Sequence, residues 1–100
     1  MENCIPLTNI KEKLHGQLAL LSKQYQVKSL GVFGSYVRHE QSTGSDLDLL
    51  VAFNETPGLL KFIEIENYLT DLLGIKVDLV IQEDLKSRIG KRILHEVVPV

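Results

Sequence analysis

The 100-residue sequence predicts an α/β layered domain, a small β-sheet flanked by helices. Three observations carry that reading. Segments with apolar residues every three or four positions alternate with short apolar runs. Those runs, at 27–33, 46–53 and 76–81, have strand length and apolar centres, as strands covered by helices do. Hydrophobic residues make up 44% of the chain, enough for one real core at this length, so one domain over 1–100 is expected.

The elements follow in order. Residues 9–25 read as a helix, with Asn9 as its cap and Glu12 completing a capping-box pattern. Ile10, Leu14, Leu18, Leu21 and Tyr25 form its apolar stripe. "VKSLGVF", 27–33, is the first strand; Gly34 and Ser35 end it and open a short helical turn. "HEQSTG" is a polar loop and "DLDLLVAF", 46–53, the second strand. Thr56 and Pro57 are expected to start the next helix as cap and first helical residue. Leu59, Phe62, Ile63, Leu69, Leu72 and Leu73 give it a buried face, and Gly74 is placed to end it. Leu60, Ile65 and Tyr68 widen that apolar face, as burial on two sides or a patch for another protein would require. "KVDLVI", 76–81, is the third strand. A last helix runs from about Asp84 to His95 on Leu85, Ile89 and Ile93, with Gly90 costing about 1 kcal/mol relative to alanine. The tail "EVVPV" suits a short edge strand, where Pro99 is tolerable.

Composition excludes several classes. The net charge of −2 does not advertise nucleic-acid binding. The lone Cys4 makes no internal disulfide and no cysteine-rich zinc site, which fits a reducing, cytoplasmic compartment. "MENCIPLTNI" has neither the basic start nor the apolar core of a signal peptide, and no apolar run nears the ~20 residues of a membrane span.

The chemistry is concentrated in "GSYVRHEQSTGSDLDLLV", 34–51. Strands usually avoid aspartate, yet Asp46 and Asp48 stand at the mouth of one, two apart and therefore on one face. Asp78 lies inside "KVDLVI", with Val77, Leu79 and Ile81 on the opposite face. If the second and third strands are neighbours, three carboxylates converge and repel one another unless a cation joins them. Oxygen-only ligands suit magnesium, which shares its shell with water and phosphate. Gly34 and Ser35 supply the complement: free backbone N–H groups at a helical turn, no Cβ to block a phosphate, and a hydroxyl donor. A phosphate cradle facing a metal clamp describes a nucleoside triphosphate site. The plain alternatives are that Asp46 caps a turn, Asp48 ends a strand and Ser35 caps a helix.

Gly34-Ser35, ten residues, then Asp46-Leu47-Asp48 resembles the signature of the DNA polymerase β-like nucleotidyltransferase superfamily, and within it the minimal nucleotidyltransferases of MNT or MntA type. The resemblance covers nearly the whole chain. It implies a polymerase β-like nucleotidyltransferase fold on a small mixed sheet. It also implies metal binding by Asp46 and Asp48, a third carboxylate at Asp78, ATP as substrate and two magnesium ions. Family members of this type are often antitoxins of HEPN–MNT (type VII) toxin–antitoxin pairs, transferring AMP to a tyrosine of the HEPN RNase toxin or neutralising it by binding. The implied enzyme is a magnesium-dependent protein adenylyltransferase. The alternatives are a binding module without transfer, or a nucleotidyltransferase acting on RNA or a small molecule. A domain this small is expected to offer no second lobe to bury a small acceptor, and its acidic charge argues mildly against tRNA or DNA, which leaves a protein acceptor as the expectation.

Other residues stay open. Asp78 reads as metal ligand or as base. Arg38, three residues after Ser35, either steadies a triphosphate or pairs with a carboxylate. Lys86, Arg88, Lys91 and Arg92 read first as a solvated helix face, with Arg88 or Lys91 reaching phosphate or a partner as the other option. His15, His39 and His95 lack metal-like spacing; His39 lies near the signature.

Overall fold

The first helix, α1 (Leu7–Tyr25), starts two residues earlier than its sequence pattern suggests. Pro6, with φ −60° and ψ 146°, is the N-cap, and its carbonyl accepts the Ile10 N–H at 3.2 Å. The first turn therefore closes on Pro6, Asn9 falls inside the helix, and the expected Asn9–Glu12 capping box is not formed. The computed structural model describes residues 6–38, 40, 46–85 and 87–100, with the backbone alone for Ser87 and Ile89. Expectations for Cys4, His39, Lys86, the Ile89 side chain and most of the 39–44 loop lie outside the described residues.

Strand β1 (Val27–Phe33) follows, then a 3-10 turn (Gly34–Tyr36), β2 (Leu47–Phe53), α2 (Leu59–Leu73) and β3 (Val77–Ile81). A second 3-10 turn (Gln82–Asp84), α3 (Ser87–Glu96) and β4 (Val98–Pro99) complete the chain. The last helix thus begins later than expected, because residues 82–84 take the tighter turn. Helix α2 also begins late. Gly58, extended at ψ 172°, is its N-cap, and the Phe62 N–H closes on the Gly58 carbonyl at 3.0 Å, leaving Thr56 and Pro57 upstream. Its end is as expected: Gly74 takes φ 73°, a left-handed conformation natural to glycine, and its N–H caps the Thr70 carbonyl at 2.8 Å.

The sheet is mixed, in the order β3-β2-β1-β4. β1 runs antiparallel to β2 and β4, and β2 runs parallel to β3, so the second and third strands are neighbours. One face of the sheet carries Leu30, Val32, Leu47, Leu49, Val51, Val77 and Leu79 into a core shared with α1 and α2. Ile10, Leu14 and Leu21 meet it from α1, and Ile65, Leu69 and Leu73 from α2. The buried face of α2 is narrower than expected: Leu59, Leu60 and Ile63, in its first turns, are 73%, 83% and 40% exposed. Tyr68 and Tyr25 sit at the rim, donating to Gln17 at 2.6 Å and Glu64 at 2.7 Å and tying the two helices together.

The β3 edge is sealed by α2. Thr70 Oγ1 accepts the Val77 N–H at 3.1 Å and a Glu66 carboxylate oxygen accepts the Leu79 N–H at 2.9 Å. Those outward donors are thus not free to pair with another chain. At the other edge, the tail forms β4 as expected, with Pro99 opposite Gly31. Gly31 is required there: a Cβ would collide with the Val97 side chain. Among the described residues no helix is long and apolar enough to cross a membrane.

Candidate active site

The alternation that buries Leu47 and Leu49 turns Asp48 to the opposite face of the sheet. The parallel register sets Asp48 directly against Asp78, and the antiparallel register sets Phe33 against Asp48 on the other side. Asp46 stands exposed one residue before β2 begins. Asp48 is half-buried and its carboxyl is raised from the ordinary aspartate range, first by burial and then by the charges of Asp78 and Asp46. The three aspartates are therefore within electrostatic reach of one another. They are not drawn into one grip: among the described residues no group of three or more His, Cys, Asp or Glu closes on a common point. The donor set is nonetheless all oxygen, with negative charge in excess. That chemistry fits magnesium, which takes one or two carboxylates and completes its shell with water and substrate phosphate.

Gly34 begins the turn beside this pair with φ +82°. A Cβ there would run into the Asp48 carboxylate, so the backbone passes Asp48 more closely than any other residue type allows. The Gly34 carbonyl accepts the N–H groups of Val37 and Arg38, at 3.1 and 3.2 Å, which shapes the turn. Ser35 is half-buried next to it, and Tyr36 is buried beneath the turn at 1% exposure.

The Gly34 N–H, expected to be free for an anion, holds one already. It donates to a Glu96 carboxylate oxygen at 2.7 Å, and the other oxygen of Glu96 takes a hydrogen bond from Arg38 Nη1, also at 2.7 Å. Arg38 Nε donates to Glu40 at 2.9 Å. The Gly34 amide first, and Arg38 second, hold the Glu96 carboxyl below the ordinary range. Arg38 thus pairs with carboxylates here while its side chain stays 46% exposed. Glu96 is absent from the sequence-based set of site residues. The edge-strand reading of the tail places Glu96 near the sheet, but only the observed register, with Val32 opposite Val98, sets it beside Gly34 two residues on.

The remaining candidates are peripheral. Arg88, Lys91 and Arg92 are exposed on α3, as a solvated face requires, and Arg92 contributes to the low Glu96 carboxyl value. His15 and His95 are exposed on α1 and α3.

Comparison with known proteins identifies the family and the fold. Residues 16–99 match the family described as nucleotidyltransferase domain, a span that includes Gly34, Ser35 and all three aspartates. The protein adenylyltransferase MntA of Thermococcus cleftensis is 50% identical over 96 residues, covering 96% of this chain and 97% of its own. A solved structure assigned as a minimal nucleotidyltransferase superposes with a TM-score of 0.82 at 34% identity, covering 98% of this chain and 99% of that one. The MNT antitoxin complex with a tri-AMPylated HEPN toxin of Shewanella oneidensis shares the fold, with a TM-score of 0.68 at 18% identity over 92% of this chain and 69% of that one. With a family match over most of the chain and relatives matched along nearly their full length, the chain belongs to the minimal nucleotidyltransferases.

Proposed function

We propose that this chain transfers AMP from ATP to a tyrosine hydroxyl of a HEPN-type RNase toxin and acts as the antitoxin of that pair. The observation that carries the reading is the opposition of Asp48 and Asp78 next to the Gly34 turn. Carboxylates that repel one another at a backbone anion site have a use in handling a cation and a phosphate chain together, and little use in packing. The acceptor class is supported by the 50% identical protein adenylyltransferase and by the AMPylated toxin bound to the S. oneidensis antitoxin.

In this reading the Gly34 amide and the Ser35 hydroxyl hold phosphate oxygens, and Arg38 turns from its carboxylate partners to the triphosphate. Asp46, Asp48 and Asp78 would hold magnesium, two ions in the full site, which when bound supplies charge for the attacking and leaving oxygens. The tyrosine oxygen forms a bond to the α-phosphorus. The bond from that phosphorus to the bridging oxygen of pyrophosphate breaks, and pyrophosphate leaves with the electron pair. Asp78, the most exposed of the paired carboxylates, takes the phenolic proton or holds the acceptor's side of the site. AMP on the toxin adds an anion and bulk where RNA must approach, acting by the same rules as phosphorylation.

The test is incubation with the HEPN protein, magnesium and ATP labelled at the α-phosphate. Label on the HEPN protein, absent when the γ-phosphate carries it instead, is expected. Silencing of the RNase with no label on it would replace transfer by binding alone.

A further inference from the structure

We propose that Glu96 is a built-in competitor of the nucleotide: its carboxylate occupies the phosphate cradle at Gly34 and Arg38 and must leave before the triphosphate enters. The inference rests on the nucleotide reading of the Gly34 turn and adds to it a means by which the chain controls its own site.

Both contacts of Glu96 are 2.7 Å long, one to a backbone N–H and one to a guanidinium, the lengths of charge-assisted hydrogen bonds. A backbone amide and an arginine fork are also the donors that recognise a phosphate group. Glu96 thus makes the contacts that a phosphate oxygen would make, from within the same chain. It is held there from both sides. α3 ends on it, and Val97 presses on Gly31 while Val98 pairs with Val32. The Val100 N–H then bonds the Leu30 carbonyl at 3.0 Å, so the backbone carrying Glu96 is registered to β1.

A carboxylate that only braced Arg38 could sit on the solvent side, as Glu40 does at 64% exposure. Glu96, at 20%, sits inward, on the Gly34 amide. A magnesium-bound triphosphate brings four or more charged oxygens to donors that hold one carboxylate, so it displaces Glu96 by strength of charge. Binding then releases Glu96 and couples nucleotide entry to the α3–β4 junction.

A ligand that must displace an internal occupant has its apparent affinity reduced by the fraction of time the site is free. Removing the occupant therefore tightens binding. Calorimetry with ATP and magnesium chloride on the full chain is expected to show Glu96→Gln binding roughly three- to tenfold more tightly than the parent. Glu96→Asp, which keeps the charge but loses reach, is expected to shift the same way and serves if the glutamine variant fails to fold. In an Arg38→Ala background, the gain from Glu96→Gln is expected to shrink, because one of the two contested donors is gone. Binding that is equal or weaker in both Glu96 variants overturns the proposal and makes Glu96 a brace that positions Arg38. Absence of ATP binding in the parent and both variants instead defeats the nucleotide reading of the Gly34 turn, and this inference with it.

Discussion

The two faces of the sheet are made from the same strands and differ most in chemistry where β2 and β3 meet the Gly34 turn. On the face towards α1 and α2, Val32, Leu47, Leu49 and Val51 are fully buried in an apolar cluster. On the other face, one residue out of step, lie Asp48 and Asp78, with Glu96 and the Gly34 turn beside them. The difference shows how a small domain separates stability from chemistry. The core face can be sealed completely, so the opposite face can carry charges that repel. The period of two keeps that separation, because a one-residue slip of β2 would turn Asp48 into the core and Leu49 out of it.

Breaking the core face gives the largest effect. Leu49→Ala removes a fully buried side chain from the cluster and is expected to cost about 2–5 kcal/mol in chemical unfolding. A cost near zero would mean that this face is not the source of stability.

Asp48→Asn sharpens the same contrast from the other side. Transfer is expected to fall on the order of a hundredfold or more, as loss of a preorganised electrostatic group does, with folding intact. Burial and then Asp78 and Asp46 raise the Asp48 carboxyl in the fold. The folded chain therefore holds that proton more tightly than the unfolded chain does. Stability falls as pH rises from the ordinary aspartate value through the raised one. The asparagine variant has no such charge, so its metal-free Tm is expected to exceed the parent's at neutral pH, with the gap closing below the ordinary aspartate range. A lower Tm at neutral pH would make Asp48 a structural residue.

Gly34→Val joins the two faces, since it puts a branched side chain at φ +82° and against the Asp48 carboxylate. A loss of about 1–3 kcal/mol from backbone strain is expected, along with loss of ATP binding by calorimetry under conditions where circular dichroism shows the variant folded. Unchanged affinity would move the phosphate site elsewhere. The smallest effect is at the β3 edge. Thr70→Val leaves the Val77 N–H without its side-chain acceptor and is expected to cost about 1 kcal/mol in chemical unfolding.

The same contrast explains what could be read from the sequence. Strand positions were legible because apolar alternation is a local property, and with it the turning of Asp48 and Asp78 away from the buried leucines beside them. That Asp48 and Asp78 are opposed needed the pairing of β2 with β3, which the sequence allowed only as a condition. Helix starts were legible only roughly. Asn9 and Thr56 are good cap residues, but the first turns close on the Pro6 and Gly58 carbonyls, a choice of backbone hydrogen bond that side-chain type does not dictate. Leu59, Leu60 and Ile63 are apolar and exposed, since the apolar pattern of α2 continues beyond the part that meets the sheet and α1. Glu96 was hidden because its partners are 58 and 62 residues away and one of them is a backbone amide, which leaves no mark on side-chain spacing.

Transfer to a protein is the activity proposed for the carboxylate face. Its most direct test is the intact and peptide mass of the HEPN toxin after incubation with this chain, ATP and magnesium. An AMP-sized gain on a toxin tyrosine is expected with the parent, and none with Asp48→Asn. A toxin that gains no mass from the parent, yet is silenced in a tight complex with it, would make this chain a binding antitoxin and not a transferase for that partner.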